Sequence, residues 1–357
     1  MKIAVDGPLR DADGYSQATR GVITGLSRLG IEVGTEDNWH CRADWLEPEV
    51  EIALARGFSG ADVGIRLSQP DSGFLAPGKL KICWSMWEFT EVPKAKYRYA
   101  EHKPIISWPE GMNRVDINFV PCEHSKRLWL EAGCIKPVYV IPFGFDPEIY
   151  HWQNREPGRP FTFIISGTLS GRKNPNMVLD VFRELFANKA EARLIMKAPA
   201  HLPLRYTDLP FNVEMYNENW THGRFSEVYR ECDVFVYPTQ GEGFGLSLVE
   251  AMATGLPPIV TVWSAPLDYI DESVGWPLDY GIEYVGSDFC LDPKQEIYQQ
   301  FGYAQPYTDH LKERMIYCFD NRDEVLMKGR RACSRVFERY TWEQIGKDIL
   351  EILEGLR

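Results

Sequence analysis

One stretch of this 357-residue chain concentrates groups able to do chemistry: Asp233-Val-Phe-Val-Tyr-Pro-Thr-Gln-Gly-Glu-Gly-Phe-Gly-Leu-Ser-Leu-Val-Glu-Ala-Met-Ala-Thr-Gly-Leu-Pro-Pro-Ile-Val-Thr261. It reads as strand, glycine-rich loop, helix, strand. Gly241, Gly243 and Gly245 let the backbone come close to a ligand, and the helix that starts after them points its free amides at whatever sits there. Such a helix start favours an anion such as a diphosphate. Glu242 in the loop and Glu250 in the first turns of the helix can both face the strand ends, where carboxylates accept hydrogen bonds from the paired hydroxyls of sugars and riboses. Two readings of Glu250 compete. Ser247-Leu-Val-Glu250 also fits a capping box, in which the glutamate only returns to the first amide of the helix. For Glu242 the competing reading is a solvated loop carboxylate.

The elements that must position these groups fall into two runs. In the first, short apolar strands at Ile3 to Val5, Ile31 to Val33, Val63 to Leu67 and Ile82 to Ser85 alternate with helical periodicity, which implies a parallel sheet. Its first helix spans about Gln17 to Leu29, with Ser16 as N-cap and Gly30 as the stop. A strand at Ile117 to Val120, a helix from Ser125 to Ala132 and a strand at Val138 to Ile141 complete this unit. The polar stretch 151–160 has no periodicity and reads as an interdomain connection, so the domains are 1–150 and 151–340. Strands at Phe161 to Ser166, Arg193 to Lys197, Val234 to Tyr237 and Ile259 to Val262 alternate with helices near 175–186, 225–231 and 245–254. That is a second parallel sheet. Segment 280–307 has no clear pattern. Helices at 310–319 and 323–339 follow, and Thr341 caps a last helix, 342–356, expected to return to the first domain. Parallel sheets bind ligands at the carboxyl ends of their strands, so two such domains facing each other would form a cleft.

Composition narrows the function. A net charge of −12 opposes general nucleic-acid binding, which depends on clustered cations. One local exception is Lys94-Ala-Lys-Tyr-Arg-Tyr-Ala-Glu-His-Lys103, which suits an anionic acceptor or lipid headgroups at a peripheral membrane contact, or else is a solvated helix face. No apolar run reaches transmembrane length. The eight cysteines show no CxxC pair and read as reduced packing residues, which places the chain in the cytoplasm.

The Glu242 segment resembles the family 4 retaining glycosyltransferases, whose hallmark is a Glu, seven residues and a second Glu, then a small-residue helix and a Gly-hydrophobic-Pro turn. Glu242 and Glu250 match that spacing, and Pro238, Phe244-Gly245, Ala251-Met252-Ala253 and Gly255-Leu-Pro257 match its surroundings. The resemblance implies an α/β chain of the GT-B kind, two Rossmann-like domains around a central cleft. It also implies that Glu242 approaches the donor sugar, that Gly243, Phe244, Gly245, Leu246 and Ser247 line the sugar and diphosphate, and that Glu250 holds the ribose.

Further segments extend the likeness. Val140-Ile-Pro-Phe-Gly-Phe-Asp146 is similar to the family's hinge, with Phe143 in place of its common Asn, and Gly14-Tyr15-Ser16 looks like its loop near the donor phosphates, although a plain turn fits Gly14 as well. In Ser166-Gly-Thr-Leu-Ser-Gly-Arg172-Lys173-Asn174-Pro175, Lys173 matches a diphosphate-binding lysine. The family's arginine position holds Thr168, so Arg172 either substitutes for it or is a surface residue. No histidine follows the strand at Cys83, where relatives carry one against the donor sugar. Glu88, in a segment similar to a Trp-Glu-Thr subgroup, is the candidate replacement, with His102 and His124 as rivals. Asp11-Ala-Asp13 looks superficially like a metal-binding DxD but reads as a turn, and no metal or other cofactor is expected.

The implied activity is transfer of a sugar from a nucleotide-sugar donor, a UDP- or GDP-sugar, to an unidentified hydroxyl, with retention and domain closure. An inactive nucleotide-sugar-binding protein of the same fold, a nucleotide-sugar epimerase and a DNA-modifying transferase are the alternatives.

Overall fold

In the computed structural model the described residues are 1–10, 13–37, 46–72, 77–94, 106–152, 154–155, 158–169, 171–284 and 301–356. Residues 95–103 of the basic stretch, with His102, Asp11, Cys41, Cys290 and most of the unassigned segment before 301, lie outside them. The chain separates into two compact units, one of Met1–Asp146 with Arg339–Arg357 and one of Pro147–Glu338. The sequence reading puts these divisions at 150/151 and 340/341.

The first unit is built from β1 (Lys2–Asp6), α1 (Gly14–Arg28), β2 (Glu32–Gly34), α2 (Pro48–Arg56), β3 (Val63–Leu67), β4 (Leu80–Trp84), α3 (Trp108–Arg114), β5 (Ile117–Val120), α4 (Glu123–Glu131) and β6 (Val138–Val140). Its strands pair in parallel in the order β2-β1-β3-β4-β5-β6. Helix α1 begins at Gly14, earlier than the sequence suggests. Its cap is Asp13, whose side chain accepts from the Ser16 amide at 2.8 Å, and Ser16 is buried within the helix. The second carboxylate of the DxD look-alike is thereby a helix cap.

The second unit contains β7 (Phe161–Ser166), α5 (Pro175–Phe186), β8 (Ala192–Ala198), β9 (Val213–Asn217), α6 (His222–Arg230), β10 (Val234–Tyr237), α7 (Leu246–Ala253), β11 (Pro258–Thr261), β12 (Trp276–Leu278), the antiparallel pair β13 (Tyr280–Tyr284) and β14 (Gly302–Pro306), α8 (Thr308–Asp320) and α9 (Arg322–Arg339). The main sheet is parallel in the order β12-β11-β10-β7-β8-β9. Strands β7 and β10 are buried along their whole length because helices cover both faces of a parallel sheet, which is why each reads as an unbroken apolar run. Phe161, Phe163, Phe182 and Phe186 fill the space between β7 and α5.

The last helix, α10 (Trp342–Gly355), belongs to the first unit. Thr341 caps it by accepting from the Gln344 amide at 3.2 Å. Trp342, Ile345, Ile349 and Leu353 bury its apolar face, each contributing about 1.5–3 kcal/mol of transfer energy. It packs on α1 through glycines: a methyl at Gly21 would fall inside the Trp342 indole, and one at Gly25 on the Trp342 carbonyl.

Candidate active site

In the second unit, sheet order reverses between β7 and β10, which are neighbours although separated in sequence by β8 and β9. The connections leaving these two strands diverge, which opens a crevice at their carboxyl ends. Two loops meet there, 167–174 after β7 and 238–245 after β10.

They are tied together through backbone carbonyls of each loop. The Gln240 amide donates to the Arg172 carbonyl at 2.8 Å, and Asn174 Nδ2 donates to the Pro238 carbonyl at 2.8 Å. Within this frame Glu242 is 5% exposed and Lys173 is 6% exposed. The Lys173 ammonium donates to Glu242 Oε1 and to the Tyr237 hydroxyl. Arg172 donates to the Gly241 carbonyl and reaches the same Glu242 oxygen at 3.2 Å, and Thr239 Oγ1 donates to it at 2.7 Å. Burial pushes the Glu242 carboxyl up, but the charges of Lys173 and then Arg172 outweigh burial and hold it below its ordinary value. Burial, and then the Glu242 charge, pushes the Tyr237 phenol well above its usual range.

Three residues absent from the sequence reading fix the loop backbone around Glu242. Ser264 Oγ accepts from the Glu242 amide at 2.8 Å and donates to its carbonyl at 2.9 Å. Tyr269 donates to the Phe244 carbonyl at 2.6 Å and packs on the Phe244 ring. Strand β14 braces the loop through the Ala304 amide, which donates to the Gln240 carbonyl at 3.1 Å. Gly245 has φ +97, and a Cβ there would stand 2.8 Å from the Tyr269 hydroxyl, so a tight left-handed bend launches α7.

The cap of α7 is Gly245, with no side-chain hydrogen bond. The capping-box reading of Ser247 and Glu250 therefore fails: Ser247 already lies inside the helix, and Glu250 sits too far along it to reach the first amide. No protein acceptor meets the amides of Leu246 and Ser247 among the described residues. Ser247 instead lies beside Gly167, where a Cβ would stand 3.6 Å from its hydroxyl. Glu250 is 5% exposed and approaches His222 Nδ1 at 3.6 Å, the nitrogen that the Tyr150 hydroxyl also meets at 2.8 Å.

The structure thus brings together Arg172, Lys173, Glu242, Gly243, Phe244, Gly245, Leu246, Ser247 and Glu250 around the β7 and β10 ends, with Thr168 half-buried in the adjoining turn. Gly14 and Glu88 belong to the first unit, at the start of α1 and in the half-buried loop after β4. His124 is there too, buried, with Nε2 3.0 Å from the Phe89 carbonyl; burial above all lowers its pKa to about 4. It is a neutral packing histidine. Thr239, Tyr237, Ser264 and Tyr269 escape sequence reading because hydroxyls carry no spacing signature, although the first two flank the glycine loop.

Known proteins fit this geometry. Residues 146–279 match the family model described as glycosyl transferases group 1. A protein of Sulfolobus islandicus filamentous virus (isolate Iceland/Hveragerdi), provisionally named glycosyltransferase 45, is 27% identical over 292 residues, 77% of this chain and 74% of its own length. Sucrose synthase of Acidithiobacillus caldus is 32% identical over 130 residues, 35% of this chain but only 14% of that enzyme. Among solved structures, sucrose-phosphate synthase from Thermosynechococcus elongatus superposes with TM-score 0.67 at 15% identity, over 100% of this chain and 99% of that one. Anabaena HepE in complex with UDP and glucose superposes with TM-score 0.64 at 14% identity, over 99% and 100%. At these identities the superpositions establish the fold, GT-B with two Rossmann-like domains.

Proposed function

The chain is a glycosyltransferase with a group 1 domain at residues 146–279, and from that premise we propose that it moves a sugar from a nucleoside-diphosphate sugar to a hydroxyl acceptor, with retention and without a metal. The observation that carries this reading is the pairing at the β7/β10 ends of two cations, Lys173 and Arg172, with a helix whose first amides have no cap. Those are the groups a diphosphate needs.

In the reaction, the bond between the anomeric carbon and the diphosphate oxygen breaks and its electron pair leaves with the diphosphate. Lys173, Arg172 and the Leu246 and Ser247 amides stabilise that growing charge from fixed positions. The acceptor oxygen bonds to the anomeric carbon on the face the diphosphate leaves, and its proton passes to the departing phosphate oxygen. Glu242 orients Lys173 and stands where a sugar hydroxyl can donate to it, and Glu250 takes the ribose hydroxyls. A UDP- or GDP-sugar is the donor class, supported by the UDP bound in the Anabaena fold neighbour.

The free cysteines among the described residues are buried thiols, which supports a cytoplasmic location. No helix of the described residues is long and apolar enough to cross a membrane. The test measures donor hydrolysis or transfer with UDP-, GDP- and ADP-sugars, with and without EDTA, and follows the anomeric configuration of the product by NMR. Lys173→Ala and Glu242→Ala are expected to lower turnover at least about ten- to a hundredfold. Full activity in both variants overturns the assignment.

A further inference from the structure

Lys197 near the end of β8 has no counterpart in the chemistry above. It is 4% exposed, yet among the described residues its ammonium meets no hydrogen-bond acceptor and no carboxylate within ion-pairing distance. Its surroundings are aromatic: the nitrogen stands 4.3 Å from the centre of the Phe225 ring and 5.6 Å from that of Trp220. A cation so largely enclosed and without an acceptor among the described residues calls for an explanation. Burial is the main cause that lowers its pKa, to about 8, while the more distant charges of Glu250 and Glu218 oppose that fall.

Its position supplies the explanation. Lys197 pairs in register with Ser166 of β7 and Tyr216 of β9. Strands are spaced about 4.8 Å apart, so Lys197 lies one strand, and Tyr216 two strands, outward from the loop assigned to the diphosphate. Glu250, whose charge acts on Lys197, is the residue assigned to the ribose. A nucleoside running from diphosphate through ribose along the strand ends brings its base over β8 and β9. There the Trp220 ring, packed against Tyr216 and Phe225, forms one wall.

Resting on the donor reading above, we propose that Lys197 selects the nucleobase: its ammonium donates to an exocyclic carbonyl oxygen, so that a base carrying one, such as uracil or guanine, binds in preference to adenine, which has none. A charge-assisted hydrogen bond in a water-poor pocket is enough for at least about tenfold discrimination.

Calorimetry of UDP, GDP and ADP binding at neutral pH tests this with wild type, Lys197→Met and Lys197→Arg. The wild type is expected to bind UDP or GDP at least about tenfold tighter than ADP. In Lys197→Met that ratio should collapse towards one with ADP affinity unchanged, and Lys197→Arg should recover part of it. The melting temperature of unliganded Lys197→Met should stay close to the wild-type value, because the methionine fills the same aromatic surroundings and no described hydrogen bond or ion pair is lost. An unchanged ratio, equal weakening for all three nucleotides, or a wild-type preference for ADP overturns the assignment of Lys197 while leaving the donor site intact. If wild type binds none of the three, the donor reading itself fails, and this inference with it. Should Lys197→Met not fold, the wild-type preference and the Lys197→Arg ratio decide the question.

Discussion

Replacing Glu242 by Gln keeps the shape of the side chain and removes its charge. In the wild type that single carboxylate faces the Lys173 ammonium and the Arg172 guanidinium at once. Without it, Lys173, 6% exposed, loses its carboxylate counter-charge while still donating to the Tyr237 hydroxyl. Breaking a buried ion pair by removing one partner costs about 3–5 kcal/mol, and the low end applies here because Arg172 is partly exposed and can hydrate. About 3 kcal/mol in a unit of this size should lower the melting temperature by roughly 6–12 °C. Lys173→Met with Glu242→Gln removes both charges, so the double variant should recover at least about 1 kcal/mol relative to the sum of the single costs. The effect also has a pH signature. Because the folded Glu242 pKa lies below its unfolded value, its stabilisation is present at neutral pH and is lost as pH falls through the folded value. Wild-type and Glu242→Gln melting curves, recorded by calorimetry or circular dichroism, should therefore converge in acid. If Glu242→Gln melts within about 1 °C of wild type and the single costs simply add, the three side chains are not an electrostatic unit and the account of the site is wrong.

Other expectations follow from single contacts. Gly245→Ala forces a left-handed residue against the Tyr269 hydroxyl; it should cost about 1–2 kcal/mol and lower transfer at least about tenfold, and unchanged melting and turnover would show a looser bend. His124 is buried neutral, so its depressed pKa makes stability full above about pH 6.5 and declining towards pH 4. His124→Gln should flatten that part of the stability profile, as chemical denaturation across the range would reveal. Gly21→Ala drives a methyl into the Trp342 ring and should destabilise the first unit by about 1–3 kcal/mol, read as a drop in the denaturant midpoint.

The parallel sheets were legible because buried strands such as Phe161–Ser166 and Val234–Tyr237 leave unbroken apolar runs, and α5 matches its predicted span, starting on Pro175. Helix α1 was misread at its start because Asp13 and Ser16 are both competent caps and only tertiary packing decides between them. The strand pair β13–β14 escapes because the partners are separated by a long connection and β13 shows no alternation of burial, although β14 does. Within the site, charge and glycine carry the signal: Glu242 and Gly245 stand out by type and spacing, whereas Lys173 follows from the family resemblance. The sequence allows Arg172 either to substitute for the missing arginine or to lie on the surface, since a shift of four residues from Thr168 changes its direction unpredictably. Its reach to the Gly241 carbonyl and the Glu242 carboxylate appears only once the two loops are seen side by side.

Helix α10 makes the second unit an insertion within the first. The outgoing and returning strands of chain are stitched together, the Phe145 amide donating to the Tyr340 carbonyl at 2.8 Å and the Trp342 amide to the Phe145 carbonyl at 3.2 Å. During synthesis the first unit must therefore wait, with the Gly21 and Gly25 face of α1 uncovered, until Trp342–Gly355 leaves the ribosome. A premature stop near residue 340 would spare the inserted unit and cripple the one that was made first.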